Sequence, residues 1–400
     1  MAGKANSNEN NVVKPDRKGG FDKSSFFITG SMDIPFLGLT IALLTIGLVM
    51  LFSASYPYAY YNRDNSYYFF VRQSIFAVGG LVGMFIMSKL NYKILKGFVK
   101  PLLGVTLFLL ILVLFYHTNL EGADGGSFKR WIPIFGFTFQ PSDLAKFTLV
   151  LTLSCYISDY YRYMKTFKYG ICIPLGITAI FCGLIFLEHH MSCTILMFLI
   201  GASLMFAGGS NWKIFALGVG AVFLVIFIVI TFPDLLENYA GTRIKAWLDK
   251  DFDPMGARWQ TNNSLYAIGS GGLFGAGLGN SKQKYLYVSE PQNDFIFSIV
   301  CEELGLVGAV IIIVLFCALV MRGLYIASKC RDKLGSLLVI GIVAQIGIQV
   351  GFNIMVVTDT LPNTGIALPF FSYGGTAIFM LLCQIGVVLS VSRKANQQRV

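Results

Sequence analysis

The chain has 400 residues, of which 55% are hydrophobic and 13% are charged, and its formal net charge is +10. A soluble protein carries about 25% charged residues, so this composition excludes a string of soluble domains. Several apolar runs reach the roughly 20 residues that cross a bilayer as a helix. The runs are continuous rather than alternating, which excludes a transmembrane β-barrel.

The apolar runs predict an all-α, polytopic integral membrane protein with about ten transmembrane helices. The predicted spans are 34–54, 71–88, 98–116, 142–158, 171–187, 191–208, 213–232, 295–321, 335–357 and 366–391. Residues 1–30 are polar and lack an early apolar core, which predicts a disordered tail rather than a signal peptide. The membrane domain is predicted over 31–392, and a second short tail over 393–400.

The distribution of Lys and Arg predicts the orientation of the chain. These residues concentrate in the two tails and in the second, fourth, sixth and eighth connections. The positive-inside rule then puts both termini in the cytoplasm. This bias accounts for most of the net charge, so nucleic acid is not expected as a partner.

Two predicted external loops are longer than a connection needs. One covers 117–141, between the third and fourth spans, and the other covers 233–294, between the seventh and eighth. Loops of the second length are usually functional or disordered, and its apolar and aromatic residues indicate order. Its glycine-rich stretch 269–279 predicts backbone with positive φ or backbone that approaches a ligand closely.

A third external turn, 358–365, leads into a segment with Pro369 and the pair Gly374–Gly375. Proline followed by paired glycines at the start of a span predicts a broken or re-entrant helix. Such backbone persists at membrane depth only where it is buried in protein or lines a cavity.

Asp294 is the strongest candidate for a catalytic residue. It lies where the large polar loop meets the eighth span, and an ionisable group at that place is a functional candidate by default. A carboxylate in a half-apolar setting should have a raised pKa, which suits a general base that accepts a proton from a substrate hydroxyl. The alternative is a helix N-cap, since Asp caps helices well.

Basic residues near the 117–141 loop form a candidate anion site. Arg130 and Lys146, with Arg243 and Lys245, could clamp a diphosphate at the bilayer surface, because arginine forks match phosphate oxygens. The alternative is snorkelling to lipid headgroups or pairing with Asp143. The residue types of the turn 188–190 (Glu-His-His) suit a metal, but its spacing is not diagnostic, and no metal ligands are assigned.

Polar side chains within the predicted spans have structural and functional interpretations. Glu302 and Glu303 lie about two turns below Asp294, and Glu302 shares its helix face. Pairing with a basic group is at least as good an explanation of these carboxylates as catalysis. A second stripe, Gln345, Gln349 and Asn353, indicates interhelical hydrogen bonds first and a cavity lining second.

Several long motifs, in one order, resemble the SEDS family, the group of RodA, FtsW and SpoVE, over roughly 34–392, with details closest to the FtsW/SpoVE branch. The motifs are 129–132 (KRWI), 140–146 (QPSDLAK), 260–279, 290–297 (EPQNDFIF), 302–305 (EELG), 363–365 (NTG) and 369–375 (PFFSYGG). The chain departs from the usual pattern at Val288–Ser289, where Leu-Pro is common. It departs again at His189–His190, where many members have Pro-Asp.

The resemblance implies a ten-helix peptidoglycan glycosyltransferase that polymerises lipid II outside the plasma membrane of a bacterium. The family's essential aspartate matches Asp294, and its conserved Arg and Lys match Arg130 and Lys146. The further candidates for binding substrate or diphosphate are Arg243, Gln260, Glu290 and Ser372. A divalent cation, Mg²⁺ or Mn²⁺, is the candidate cofactor.

The resemblance also implies a class B penicillin-binding protein as partner, with other divisome or sporulation membrane proteins. The rival interpretations are a lipid II flippase, since transporters also use broken spans and polar stripes, and a scaffold for those partners. The clustering of the candidate charges at the outer surface favours chemistry there over transport.

Overall fold

The computed structural model describes residues 26–115, 130–134, 137–211, 213, 218, 239–256 and 258–397. Eleven α-helices lie in these ranges: α1 Ile34–Arg63, α2 Tyr68–Lys89, α3 Leu95–Phe115, α4 Pro141–Asp159, α5 Ile173–Leu187, α6 Met191–Ala207, α7 Tyr239–Leu248, α8 Trp259–Gly271, α9 Ile296–Lys329, α10 Lys333–Val357 and α11 Gly375–Gln397. Short 3-10 turns cover Tyr92–Ile94 and Tyr161–Tyr163, and a π turn covers Lys168–Cys172. Strands β1 (Ile132–Ile134) and β2 (Phe137–Phe139) form one antiparallel hairpin.

The predicted class, a helical membrane protein, is confirmed. Within the described ranges, seven helices are long and apolar enough to cross a bilayer, namely α1, α2, α3, α5, α9, α10 and α11, and α6 is a shorter apolar helix. Nine of the predicted spans fall on helices. The span predicted at 213–232 lies outside the described residues except for positions 213 and 218, so the count of ten and the side of the termini stay predictions.

Helix α4 lies at the centre of the bundle, where it packs against α3, α5, α6, α10 and α11. Of its 19 residues, 14 are buried, so it faces protein on nearly every side. Asp143 and Lys146, near its N-terminal end, are therefore surrounded by protein rather than by lipid, and they pair with each other.

The tenth predicted span begins later than expected. Residues 366–374 are not helical, and α11 begins only at Gly375, because the backbone before it carries Pro369 and then the glycine pair. The segment is nevertheless buried, and polar side chains satisfy its backbone. Gln349 donates to the carbonyl of Ala367 (2.8 Å), and Asn353 to that of Ile366 (2.7 Å). The broken-helix prediction is therefore confirmed, and the polar stripe of α10 serves this segment.

The glycine-rich stretch packs against α9 rather than against open space. Helix α9 is kinked at Gly305, where φ is 68°. Four backbone hydrogen bonds join the stretch to the kink: Ala276 N to Glu302 O, Gly277 N to Glu303 O, Leu306 N to Gly272 O and Val307 N to Leu273 O. A Cβ on Gly275 or Gly305 would collide with the opposite backbone. The predicted close approach is therefore to the chain itself, and the stretch replaces helical hydrogen bonds lost at the kink.

The two glutamates below Asp294 hold the loop that follows the glycine stretch. Glu302 accepts from the backbone N–H of Lys282 (2.8 Å). Glu303 pairs with Lys284 (2.9 Å) and accepts from the Ser53 hydroxyl of α1 (2.7 Å). The interpretation of pairing with a basic group is thus confirmed for Glu303.

Ordered structure extends beyond the predicted membrane domain at both ends. The backbone at Phe26 and Ile28 pairs with residues 89–91, through Ile28 N to Lys89 O (2.9 Å) and Asn91 N to Phe26 O (3.0 Å). Helix α11 continues to Gln397, and Arg393 donates to the carbonyl of Gly30 (2.9 Å). Residues 26–30 and 393–397, which belong to the two predicted tails, are thus described and hydrogen-bonded to the rest of the fold, and the remainder of each tail lies outside the described residues.

Candidate active site

Asp294 lies just before α9, in the turn that ends the large loop predicted to be external. Helix α9 begins at Ile296 with Phe295 at its N-cap and no capping side chain, so the alternative that Asp294 caps the helix is wrong. Its backbone carbonyl accepts from Asn353 (2.7 Å). Gly365 (φ 70°) comes so close that a Cβ there would lie 3.1 Å from Asp294 Oδ2. The carboxylate is therefore positioned by α10 and by the 358–365 turn.

The environment of Asp294 favours its protonated form more than water would. The pKa of its half-buried carboxyl is raised to about 6. Burial is the largest cause and the nearby charge of Glu290 is the second, whereas the charges of Arg243 and Arg130 lower the pKa. A carboxylate with this pKa is ionised at neutral pH and still basic enough to accept a proton efficiently. Raised basicity together with positioning is what a general base requires.

Arg243 and Gln260 tie the large loop to the 358–365 turn. Arg243 of α7 donates to the carbonyl of Asn363 (2.9 Å). Asn363 donates in turn to Gln260 of α8 (3.2 Å), and Gln260 donates to the carbonyl of Ser289 (3.2 Å). Gln260 thus links the two segments that flank Asp294, and Arg243 is near enough to act on the Asp294 carboxylate.

Ser372 and Glu290 also lie beside the Asp294 turn. The Ser372 hydroxyl donates to the carbonyl of Asn293 (2.8 Å) and accepts from the N–H of Leu368 (2.7 Å). The hydroxyl therefore acts as donor and as acceptor, and both bonds hold the Asp294 turn against the non-helical segment 366–374. Glu290 has φ 50°, and its carboxylate accepts from Asn293 (2.7 Å).

Lys146 lies on α4, beside the non-helical segment 366–374. Its ammonium is 2.8 Å from Asp143, and both side chains are almost enclosed, at 11% and 6% exposed. The pairing with Asp143 considered from the sequence is therefore present. The pair lines a cavity of about 40 Å³ with Gln345 and Gln384. A space of that size holds about one water molecule.

Arg130 leads into β1 and rests on the turn between α5 and α6. Its guanidinium donates to the carbonyl of His189. Glu188 in the same turn is fully buried, and its carboxylate oxygens have no hydrogen-bond partner in the part of the chain that the structure describes. Burial raises the pKa of Glu188 to about 8 in spite of the attraction of Arg130. Burial, with Arg130 and Lys146, holds the pKa of His190 well below its usual value.

The turn at 188–190 therefore has a different role from the metal site that was considered from its sequence. Within the described residues, no three His, Cys, Asp or Glu side chains converge as metal ligands would. The turn instead supports Arg130 through the backbone carbonyl of His189. The sequence offered no signal for this role, because the two segments are 58 positions apart.

A polar cleft of about 330 Å³ adjoins the Asp294 turn on the side of α1 and α2. It is lined by Tyr58, Asn62, Arg63, Phe69, Glu290, Gln292, Asn293 and Tyr373. The contribution of α1 was missed because the first span was predicted to end at 54, whereas the helix continues to Arg63. The tyrosine-rich stretch 56–61, ahead of Asn62 and Arg63, was the signal that could have indicated it.

Comparison with known proteins identifies the family. The model of the FtsW/RodA/SpoVE family, described as cell cycle proteins, matches residues 35–397. Stage V sporulation protein E of Bacillus subtilis is 38% identical, over 91% of this chain and 97% of that protein. A probable peptidoglycan glycosyltransferase FtsW of Geobacter sp. is 36% identical, over 90% and 97%. The chain belongs to the FtsW/RodA/SpoVE family, and the resemblance inferred from its motifs is confirmed.

Solved structures share the fold. A chain from a study of a peptidoglycan synthase complex that coordinates polymerization and crosslinking is 26% identical with a TM-score of 0.74, and the match covers 92% of this chain and 99% of that one. The rod shape determining protein RodA of Thermus thermophilus is 26% identical with a TM-score of 0.65, over 91% and 97%. The architecture is therefore that of the family along nearly its whole length.

Proposed function

We propose that this chain is a peptidoglycan glycosyltransferase that polymerises lipid II on the outer face of the bacterial plasma membrane. The observation that carries the proposal is Asp294, a positioned carboxylate of raised pKa between a polar cleft and the cations Arg130 and Arg243. Relatives that match at least 90% of the chain are named probable peptidoglycan glycosyltransferases. A base beside a polar cleft and an anion site is the combination that glycosyl transfer from a lipid diphosphate needs.

In the proposed reaction, Asp294 accepts the proton of the 4-hydroxyl on the acceptor's terminal GlcNAc. The oxygen forms a bond to the anomeric carbon of the growing chain's lipid-linked MurNAc, and the bond from that carbon to the diphosphate oxygen breaks. The electron pair leaves with the polyprenyl diphosphate. Arg130 and Arg243 stabilise the charge that develops there, with Lys146 in a lesser role because Asp143 offsets its charge.

A divalent cation would add charge neutralisation at the leaving diphosphate. Mg²⁺ is usually bound by one or two carboxylates together with substrate phosphate oxygens. Glu290 is the carboxylate that would serve this use, since its charge is near enough to raise the pKa of Asp294, which itself acts as the base. The proton transfer and bond changes above require only the side chains of this chain.

The proposed partner is a class B penicillin-binding protein, whose transpeptidase would crosslink the new strands. The match to a chain from a complex that coordinates polymerization and crosslinking supports such a partner. The relatives named for FtsW and for stage V sporulation support other divisome or sporulation membrane proteins as further partners. Nucleic acid is not part of the proposal.

The test is incubation of the purified protein with labelled lipid II in detergent, with and without its cognate penicillin-binding protein. We expect a ladder of glycan strands. Folded protein that forms no ladder with any partner would contradict the proposal, and a liposome assay would then test the flippase alternative.

The pH dependence of polymerisation should report the ionisation of Asp294. Only the ionised carboxylate accepts a proton, and its pKa is raised to about 6. The rate should therefore fall as the pH drops through about 6, by roughly tenfold per further pH unit. Initial rates with saturating lipid II would be measured across this range, with thermal stability followed in the same buffers. A constant rate from neutral pH to well below 6 would contradict the role of Asp294 as base.

A further inference from the structure

The polar cleft beside Asp294 has the construction of a ligand site. Its volume of about 330 Å³ lies in the range of small-molecule pockets. Three of its residues, Glu290, Gln292 and Asn293, belong to the turn that ends in Asp294. A group bound in the cleft would therefore lie next to the carboxylate proposed as the base.

The side-chain oxygen of Gln292 can accept a hydrogen bond from a ligand. The residue is only 2% exposed, and its Oε1 has no hydrogen-bond partner in the part of the chain that the structure describes. Its backbone is fixed, because the N–H of Tyr373 donates to its carbonyl (2.8 Å). An unsatisfied buried acceptor destabilises the folded protein, so a ligand that supplies an N–H or O–H would relieve this penalty.

The charges and rings of the cleft favour a neutral sugar over a diphosphate. Glu290 and Arg63 offset each other, whereas the cations that act on Asp294 are Arg130 and Arg243, which do not line the cleft. Phe69 and Tyr373 meet edge to face, with ring centroids 4.8 Å apart, and supply apolar surface. Aromatic surface with a few placed polar groups is typical of small-molecule sites.

We propose that this cleft binds the N-acetylhexosamine of the lipid-linked acceptor that carries the reacting hydroxyl, with Gln292 Oε1 accepting an N–H or O–H from the sugar. The assignment rests on the proposed function, since only a glycosyl acceptor has to present a neutral hydroxyl to Asp294. It separates the two substrates: the sugar with the free hydroxyl lies on the α1–α2 side, and the diphosphate lies on the side of Arg130 and Arg243.

Binding can be tested without turnover. The probe is a soluble disaccharide of N-acetylglucosamine, titrated into detergent-solubilised Asp294→Asn protein and followed by saturation-transfer NMR. We expect Gln292→Leu, in the same background, to weaken binding about tenfold through loss of one hydrogen bond to a buried acceptor. The matched control is Gln283→Leu, since Gln283 Oε1 also has no partner among the described residues but does not line the cleft.

A second variant protects the test against misfolding. Asn62 lines the cleft and is exposed, so Asn62→Ala should fold normally and weaken disaccharide binding roughly two- to fivefold. With lipid II and otherwise wild-type protein, Gln292→Leu should raise KM more than it lowers kcat. Equal binding by the Gln292 and Gln283 variants, or no disaccharide binding by any protein, would overturn the proposal.

The outcomes also separate this subsite from the proposed function. Disaccharide binding that depends on Gln292, in a protein that forms no glycan ladder, would retain the sugar site and reject the polymerase. Ladder formation by wild type, with the two Gln→Leu variants indistinguishable in binding and in KM, would retain the polymerase and reject the subsite.

Discussion

Asp294→Asn is expected to lower the rate of lipid II polymerisation by roughly 10²–10⁴-fold, the usual contribution of a general base. Asparagine has nearly the same shape but cannot accept the proton. The hydrogen bond from Asn353 to residue 294 goes to the backbone carbonyl, so the substitution leaves it intact. The measurement is the initial rate of glycan strand formation from labelled lipid II at neutral pH.

The same variant should be at least as stable as the wild type. The pKa of Asp294 is raised in the folded protein, so folding disfavours its ionised form, and at neutral pH a neutral isostere removes that penalty. The matched control is Asp249→Asn, which alters an exposed aspartate in the same large loop and should polymerise at the wild-type rate. A folded Asp294→Asn protein with undiminished activity would remove the base from the mechanism.

The apolar helices were the part of the fold that sequence could predict. Runs of about 20 apolar residues leave few alternatives in a membrane, and nine predicted spans coincide with helices. The ends were less certain, because polar residues can continue a helix beyond the bilayer. Thus α1 extends to Arg63, and α11 begins only at Gly375, after a segment stabilised by Gln349 and Asn353 from another helix.

The candidate site was predictable residue by residue but not as an arrangement. Asp294 was identified from its position at the mouth of a span, and Arg130 from its type and place. The support of Arg130 by the carbonyl of His189 depends on which turn the hairpin rests against, and no local pattern encodes that contact. The polar cleft likewise combines α1, α2, the Asp294 turn and Tyr373, which are distant in sequence.

The glycine-rich stretch illustrates the same limit. Its composition correctly predicted positive φ, which occurs at Gly272, Gly275, Gly277 and Gly279. Composition cannot tell whether the backbone approaches a ligand or another part of the chain. The kink at Gly305 decides the matter, because it leaves backbone groups of α9 that the stretch then satisfies.

Lys284→Met is expected to lower the free energy of unfolding by about 3–5 kcal/mol, the usual cost of removing one partner from a buried ion pair. The side chains of Lys284 and Glu303 are 3% and 0% exposed, and they are 2.9 Å apart. Lys284 also donates to the carbonyl of Gly279 (2.6 Å). Without the lysine, the Glu303 carboxylate would be buried with the Ser53 hydroxyl as its main remaining donor. Thermal unfolding in detergent is the measurement.

The matched control is Lys282→Met, since Lys282 is an exposed lysine two positions away and its substitution should leave the melting temperature almost unchanged. The double variant Lys284→Met/Glu303→Gln should recover much of the lost stability, because it removes the buried charge together with its partner. Equal melting temperatures for the two Lys→Met variants would show that the ion pair does not stabilise the loop. The loop leads to Asp294, so Lys284→Met protein should lose activity as it melts and regain it on cooling. Asp294→Asn protein should keep its lowered rate at every temperature at which it is folded.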